Sequence, residues 1–173
     1  MKNLNILIFL FFLAFSASAF SQEESLKAFY TINLIRYVGW NGHSLEGDFV
    51  IAVVGNSEVA KQLRAYSDGK RFGHQNYLIK EYDELEKVNT CQVLYIGKNT
   101  KVSGGQRYLL EKARAVGSLI IAESDGMINK GAAVNFVLRN EGLQFELNES
   151  NAGYANLQFS SRLASMAAAI VLN

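Results

Sequence analysis

Proline is absent from the 173-residue chain, and cysteine occurs once, at Cys91. Average usage would supply several prolines, so Pro-rich linkers and stalks are excluded. A single cysteine rules out an intrachain disulfide. Two histidines, His43 and His74, with one thiol fall short of the four ligands of a Cys/His zinc site. An excess of either charge is also missing, since 17 Lys and Arg stand against 16 Asp and Glu. A nucleic-acid binder normally shows a basic stripe that neutralises phosphates, and this chain has no charge to spare for one. Hydrophobic residues reach 49% and charged residues only 19%, which excludes a disordered chain.

The N-terminus carries the one long apolar run. Met1-Lys2-Asn3 gives a short positive start, and Leu4 to Phe15 is apolar except for Asn5. As a helix this run would reach about 18 Å, short of a ~30 Å hydrocarbon core. Ala17-Ser18-Ala19 then fits the small-x-small pattern cut by a signal peptidase. The reading is a removable export signal over residues 1–19, cleaved after Ala19, and a mature domain over 20–173. Loss of Lys2 with the leader leaves the mature side chains neutral. No cysteine follows the run to take a lipid, and no other segment reaches spanning length. The expected product is a soluble periplasmic protein without membrane insertion.

The mature part has the length of one domain. Glu23 to Val38 reads as a helix, with Leu26, Phe29, Tyr30, Asn33, Leu34, Tyr37 and Val38 at the three- and four-residue steps of one face. Gly39 and Asn41-Gly42 end it. Phe49–Val54, Asn76–Lys80, Gln92–Ile96 and Ser118–Ala122 read as strands, and Glu58–Tyr66 and Gly105–Val116 as helices between them. Ser57 or Asn56 is placed to cap the first of these helices, and Asp83–Lys87 has room for one helical turn. The alternation points to a parallel sheet covered on both faces. Ala132–Leu138 and Leu143–Leu147, joined by Arg139-Asn140-Glu141-Gly142, then suggest an antiparallel hairpin at the sheet edge. Glu149–Asn156 and Ser160–Val171 read as closing helices. The fold class is a single three-layer α/β domain, with a mostly parallel sheet and an antiparallel C-terminal hairpin.

Chemistry is thinly signalled. There is no Gly-x-Ser-x-Gly elbow, and both histidines lie in polar, loop-like contexts. Cys91 stands before an apolar strand, where a small buried thiol is the ordinary outcome, an intermolecular disulfide being the alternative. Ser103-Gly104-Gly105-Gln106 opens a helix but lacks P-loop or dinucleotide spacing, so it reads as a tight turn. Asn148-Glu149-Ser150 matches a glycosylation sequon of no consequence outside a eukaryotic secretory route. No catalytic residue, metal or cofactor is assigned. In an open α/β sheet ligands favour the crevice beyond the carboxyl ends of the strands. Gly55, Asn56, Ser57, Gly97, Glu123, Ser124 and Asp125 would gather there as a small-molecule site. Met127 and Ile128, in a loop after Asp125-Gly126, would suit partner contact if exposed; core packing is the ordinary role of such residues.

Four segments resemble the YfiR/HmsC-like family of periplasmic regulators. The stretch Lys27 to Trp40 is similar to the family's aromatic first helix ending in Trp-Pro. Phe49 to Gly55 matches its first strand and glycine, and Cys91 to Ile96 its cysteine entering a strand. Gly131 to Met166 carries Asn135-Phe136, Leu143 to Asn148, Ala152 and Ser160-Ser161-Arg162-Leu163. Asn41 stands where the family commonly has proline, and Cys91 lacks the second cysteine some relatives pair. The resemblance implies a compact α/β domain that tends to dimerise. It also implies a non-enzymatic regulator in cyclic-di-GMP signalling, which binds the periplasmic part of an inner-membrane diguanylate cyclase or sensor kinase. Contact is expected near Tyr37 and Trp40, or on Met127 and Ile128. The alternative is a periplasmic small-molecule binding protein acting as a ligand sensor at the strand-end crevice.

Overall fold

Strand β2 (Phe49–Val54) is buried at five of its six positions and partly buried at Val50, as suits a strand covered on both faces. The computed structural model describes residues 22–40, 47–102, 106–139 and 142–171. The export-signal reading, His43, the Asn41-Gly42 pair, the Ser103–Gly105 turn and Asn140-Glu141 lie outside the described residues.

Helix α1 (residues 22–34) passes through a 3-10 turn, Ile35–Tyr37, into strand β1 (Val38–Trp40). The expected helix therefore stops about a turn early. Its last residues pair antiparallel with β9 (Leu157–Phe159), placing Val38 opposite Phe159 and Trp40 opposite Leu157. Val38-Gly39 favours this exchange, because a β-branched residue and a glycine are weak helix formers. The Trp40 indole N–H donates to the Ile35 carbonyl at 2.9 Å and fixes the bend.

After β2 come α2 (Ser57–Ser67), β3 (Arg71–Phe72), β4 (Gln75–Tyr82), a 3-10 turn at Leu85–Lys87 and β5 (Val93–Ile96). They are followed by α3 (Arg107–Ala115), β6 (Leu119–Ala122), α4 (Met127–Lys130), β7 (Val134–Arg139) and β8 (Gly142–Asn148). Helix α5 (Glu149–Gly153), β9, α6 (Ser161–Ala164) and β10 (Ala169–Val171) complete the chain. The main sheet runs β10-β8-β7-β6-β5-β2-β4-β3. Its centre is parallel, and β7–β8 and β3–β4 are antiparallel. The hairpin lies toward one edge as expected, with β10 added outside it, parallel to β8. The stretch expected as a final helix thus divides into one turn and a strand. A short apolar run such as Ala167–Leu172 fits either state, and pairing with β8 decides it.

Two apolar layers fill the two faces of the sheet. One packs α1, α2 and the β1–β9 ribbon on Phe49, Ile51, Val53, Tyr95, Ile121 and Phe136. The other packs α3 and α4 on Ala52, Val54, Leu94, Ile96 and Ile120. Helix α1 is turned differently from its sequence pattern. Glu24, Lys27, Ala28, Thr31, Ile32 and Ile35 face inward, while Leu26 and Phe29 are 39% and 45% exposed. Helical spacing puts Leu26, Phe29 and Asn33 on one outward stripe. The first turns of α1 therefore bury Glu24 and Lys27 beside Ala28 and leave Leu26 and Phe29 outside, while Ile32, Leu34 and Ile35 are buried as on an ordinary surface helix.

Candidate functional site

The polar inner face of α1 lies over the carboxyl ends of the central strands. Lys27 reaches Glu123 at 2.6 Å, Glu23 at 2.7 Å and Glu24 at 3.1 Å. Glu123 follows directly on β6, where the end of the strand delivers its side chain into the crevice. Its Oε1 accepts from the Asn56 amide at 2.7 Å and from the Lys98 backbone N–H at 2.7 Å; its Oε2 accepts from the Tyr95 hydroxyl at 3.1 Å. Asn56 also donates to Glu24 at 2.9 Å, while its own oxygen caps α2 by accepting from the Val59 N–H. One asparagine thus starts α2 and ties α1 to β6.

Lys27, Glu24 and Glu123 all lie at or below 4% side-chain exposure, so the cluster is a desolvated ionic network. Burial disfavours the Lys27 ammonium, but the Glu123, Glu23 and Glu24 carboxylates outweigh it and hold Lys27 above its ordinary value. Burial raises the Glu24 carboxyl, the Glu123 charge adds to the rise, and Asn56 and Lys27 offset part of it. Burial and then the charges of Glu123 and Glu24 keep the Tyr95 phenol well above its ordinary value, so it remains a donor.

Of the residues expected in a crevice, Gly55, Asn56, Gly97, Glu123 and Ser124 do converge. Gly55 needs its positive φ of 72° to turn the chain from β2 into α2. At Gly97 a Cβ would sit 2.7 Å from the Asn56 side chain and 2.8 Å from the Gly55 backbone. Ser124 donates to the Lys98 carbonyl at 3.3 Å. Ser57, the first residue of α2, and Asp125 are exposed at the margin. The place where a ligand would sit is occupied by the protein's own Lys27 and Glu24. Sequence reasoning missed these two and Tyr95. Their signal was the pair of charges at i and i+3 on the strip of α1 that faces the sheet.

The expected partner residues fare unequally. Met127 and Ile128 form the start of α4 and are buried, which corrects their placement on a contact loop. Their spacing after Gly126 starts a helix whose apolar side closes onto the core. Trp40 is half-buried, edge-on to Phe49 and Phe72. Tyr37 is half-buried at the mouth of a groove of about 330 Å³ shared with Arg36, Gln158 and Phe159. The Arg162 guanidinium lies 5.7 Å from its ring centroid.

Cys91 is buried, and burial pushes its thiol up to about 11, which keeps it protonated and unreactive at neutral pH. The neighbouring cleft, lined by Leu85, Val88, Cys91 and Leu109, encloses about 180 Å³, below the roughly 300–1,000 Å³ of small-molecule sites. Among the described residues no His, Cys, Asp and Glu group is arranged to hold a metal ion; Lys27 is the cation of the acidic cluster. Nor does any described helix have the length and apolarity to cross a membrane.

The network carries its own pH test. A carboxyl whose folded pKa lies above its unfolded value penalises the native state once ionised. The Glu24 penalty is fully present above the folded value and disappears as pH falls toward 4.5. Unfolding midpoints of wild type and Glu24→Gln at pH 7.5 and pH 5 should show wild type gaining on the variant with acidification. Wild type losing ground instead would mean that the ion pair governs Glu24.

Comparison with curated proteins returns no match. The YfiR/HmsC-like family, whose members are periplasmic regulators in cyclic-di-GMP signalling, matches residues 24–168. That span runs from Glu24 in the ionic network to the residue just before β10, so it takes in both apolar layers. The α/β architecture expected from the four sequence segments is the one observed, and the chain belongs to the YfiR/HmsC-like family.

Proposed function

We propose that the chain is a non-enzymatic periplasmic regulator that binds the periplasmic part of an inner-membrane signalling receptor, a diguanylate cyclase or a sensor kinase, and modulates its output. The observation carrying this reading is the outward apolar stripe of α1. Leu26 and Phe29 stand exposed while the opposite side of the same turns is locked by charge. Phe29 is steadied by an edge contact with Tyr66, whose hydroxyl meets Ser25 at 2.9 Å, so the surface is ordered before a partner arrives. Exposed, rigid aromatic surface is what interaction sites use. Tyr37, just past the end of α1, extends this candidate contact face.

The regulator acts by population shift: it favours the receptor conformation it binds more tightly, to the extent of that difference in affinity. The small-molecule sensor reading is the less favoured one, because Lys27 and Glu24 of α1 pack into the strand-end crevice. Export after cleavage at Ala19 completes the proposal. The test is complementation of a strain lacking the gene, read as receptor output. Wild type is expected to restore the normal output. Phe29→Asp, a change at a surface position, is expected to be exported and folded yet to fail. Full complementation by Phe29→Asp and by Leu26→Asp would refute the placement.

A further inference from the structure

We infer that the outer edge of β4 takes an extended, acidic segment of a protein partner as an added strand. This rests on the sheet edge and its charges, independently of the reading above. Strand β2 pairs with Tyr77 to Tyr82 on one side of β4, whereas β3 covers only Gln75 and Asn76 on the other. Among the described residues no strand pairs with that edge beyond Asn76. The direction of the free groups follows from one bond. The Tyr82 carbonyl accepts from the Gly55 N–H, which continues β2, at 3.3 Å. In a parallel ladder alternate residues turn both backbone groups to the same neighbour. Leu78, Lys80 and Tyr82 therefore face β2, and Tyr77, Ile79 and Glu81 point N–H and C=O outward.

The vacancy has a local cause. Continued backward, β3 would cover Tyr77 and Leu78, but the Ser67–Lys70 turn, with Gly69 at φ 65°, diverts the chain onto α2. A groove of about 520 Å³ remains between this turn and β4. Lys70 and Arg71 line it against Asp68, while Arg64 is already paired with Glu81 at 3.4 Å, so its rim keeps a net positive charge that favours an acidic strand. The same rim disfavours a second copy, which would bring like charges together. A two-fold antiparallel pairing centred on Lys80 also sets that lysine against itself, and one centred on Ile79 sets Leu78 against Lys80. Addition of a peptide strand to a free edge draws affinity from main-chain bonds and specificity from alternate side chains.

The test uses the mature protein and a short synthetic peptide alternating aspartate with valine, beside a lysine–valine counterpart. The acidic peptide should bind saturably by fluorescence anisotropy and weaken with salt. It should slow amide exchange at Tyr77, Ile79 and Glu81 while leaving Leu78, Lys80 and Tyr82 unchanged. Lys70→Glu/Arg71→Glu, at exposed positions, should weaken it by about tenfold or more. Absence of saturation, equal binding of the lysine peptide, or binding without new protection at those three amides would overturn the inference. Sedimentation showing the edge already taken by a second copy would do so as well.

Discussion

Lys27→Met is expected to lower unfolding stability by about 3–5 kcal/mol, the range for removing one partner of a buried ion pair. The cost comes from what stays behind. Glu123 and Glu24 keep their buried positions, with side chains 1% and 3% exposed, and lose the ammonium that both of them touch. Methionine fills similar volume, so lost packing contributes little. Glu123→Gln in the Lys27→Met background should then recover a large part of the loss, because it removes the stranded charge while Asn56, Tyr95 and the Lys98 N–H keep a polar partner. Urea unfolding at pH 7.5 with unchanged denaturant slope measures both steps. A loss below about 1 kcal/mol for the single variant would place Lys27 among ordinary surface lysines.

Gly97→Ala carries the second large effect. Its added methyl meets backbone as well as side chain: the Gly55 carbon and oxygen at 2.8 Å and the Asn56 Cβ at 2.7 Å. Backbone cannot rotate away, so the turn that starts α2 must shift. Overpacking of this kind costs about 1–3 kcal/mol, and a displaced Asn56 cap adds about 1 kcal/mol. The same shift pulls the Asn56 amide from Glu24 and Glu123, coupling the substitution to the network. The double variant Gly97→Ala/Asn56→Ala should therefore lose less than the sum of the two single losses. Strict additivity by urea unfolding would show that Gly97 acts apart from Asn56.

Most of the architecture was legible because its signals were local. Phe49–Val54 and Gln92–Ile96 are apolar runs too short for helices, and Gly55 and Gly97 end them where the strands end. Asn56 was one of two caps consistent with the sequence, and its hydrogen bond to Val59 settles the choice. The misreadings arose where long-range pairing overrode local pattern. Val38–Trp40 leaves the helix for β9, and Ala169–Val171 forms a strand on β8. That Gly55, Asn56, Gly97, Glu123 and Ser124 come together followed from topology alone, but that Lys27 and Glu24 pack there was hidden. Lys27 and Glu24 are separated from Glu123 by most of the chain, and periodicity ranks charged residues as outward. The first turns of α1 are rotated for the same reason: a buried lysine with three carboxylate partners outweighs the exposure of Leu26 and Phe29, while Leu34 and Val38 of the expected face are buried.

In the proposed function α1, with Lys27 and Glu24 held inward, offers Leu26 and Phe29 to a membrane receptor. The most direct test is site-specific photo-crosslinking in intact envelopes from residue 29, with residue 108 on α3 as the comparison. Tyr108 is also exposed but belongs to the opposite layer. An adduct containing an inner-membrane protein with a cytoplasmic signalling domain is expected from position 29, and none from position 108. No adduct from position 29, with the protein exported and folded, or equal adducts from both positions, would contradict it.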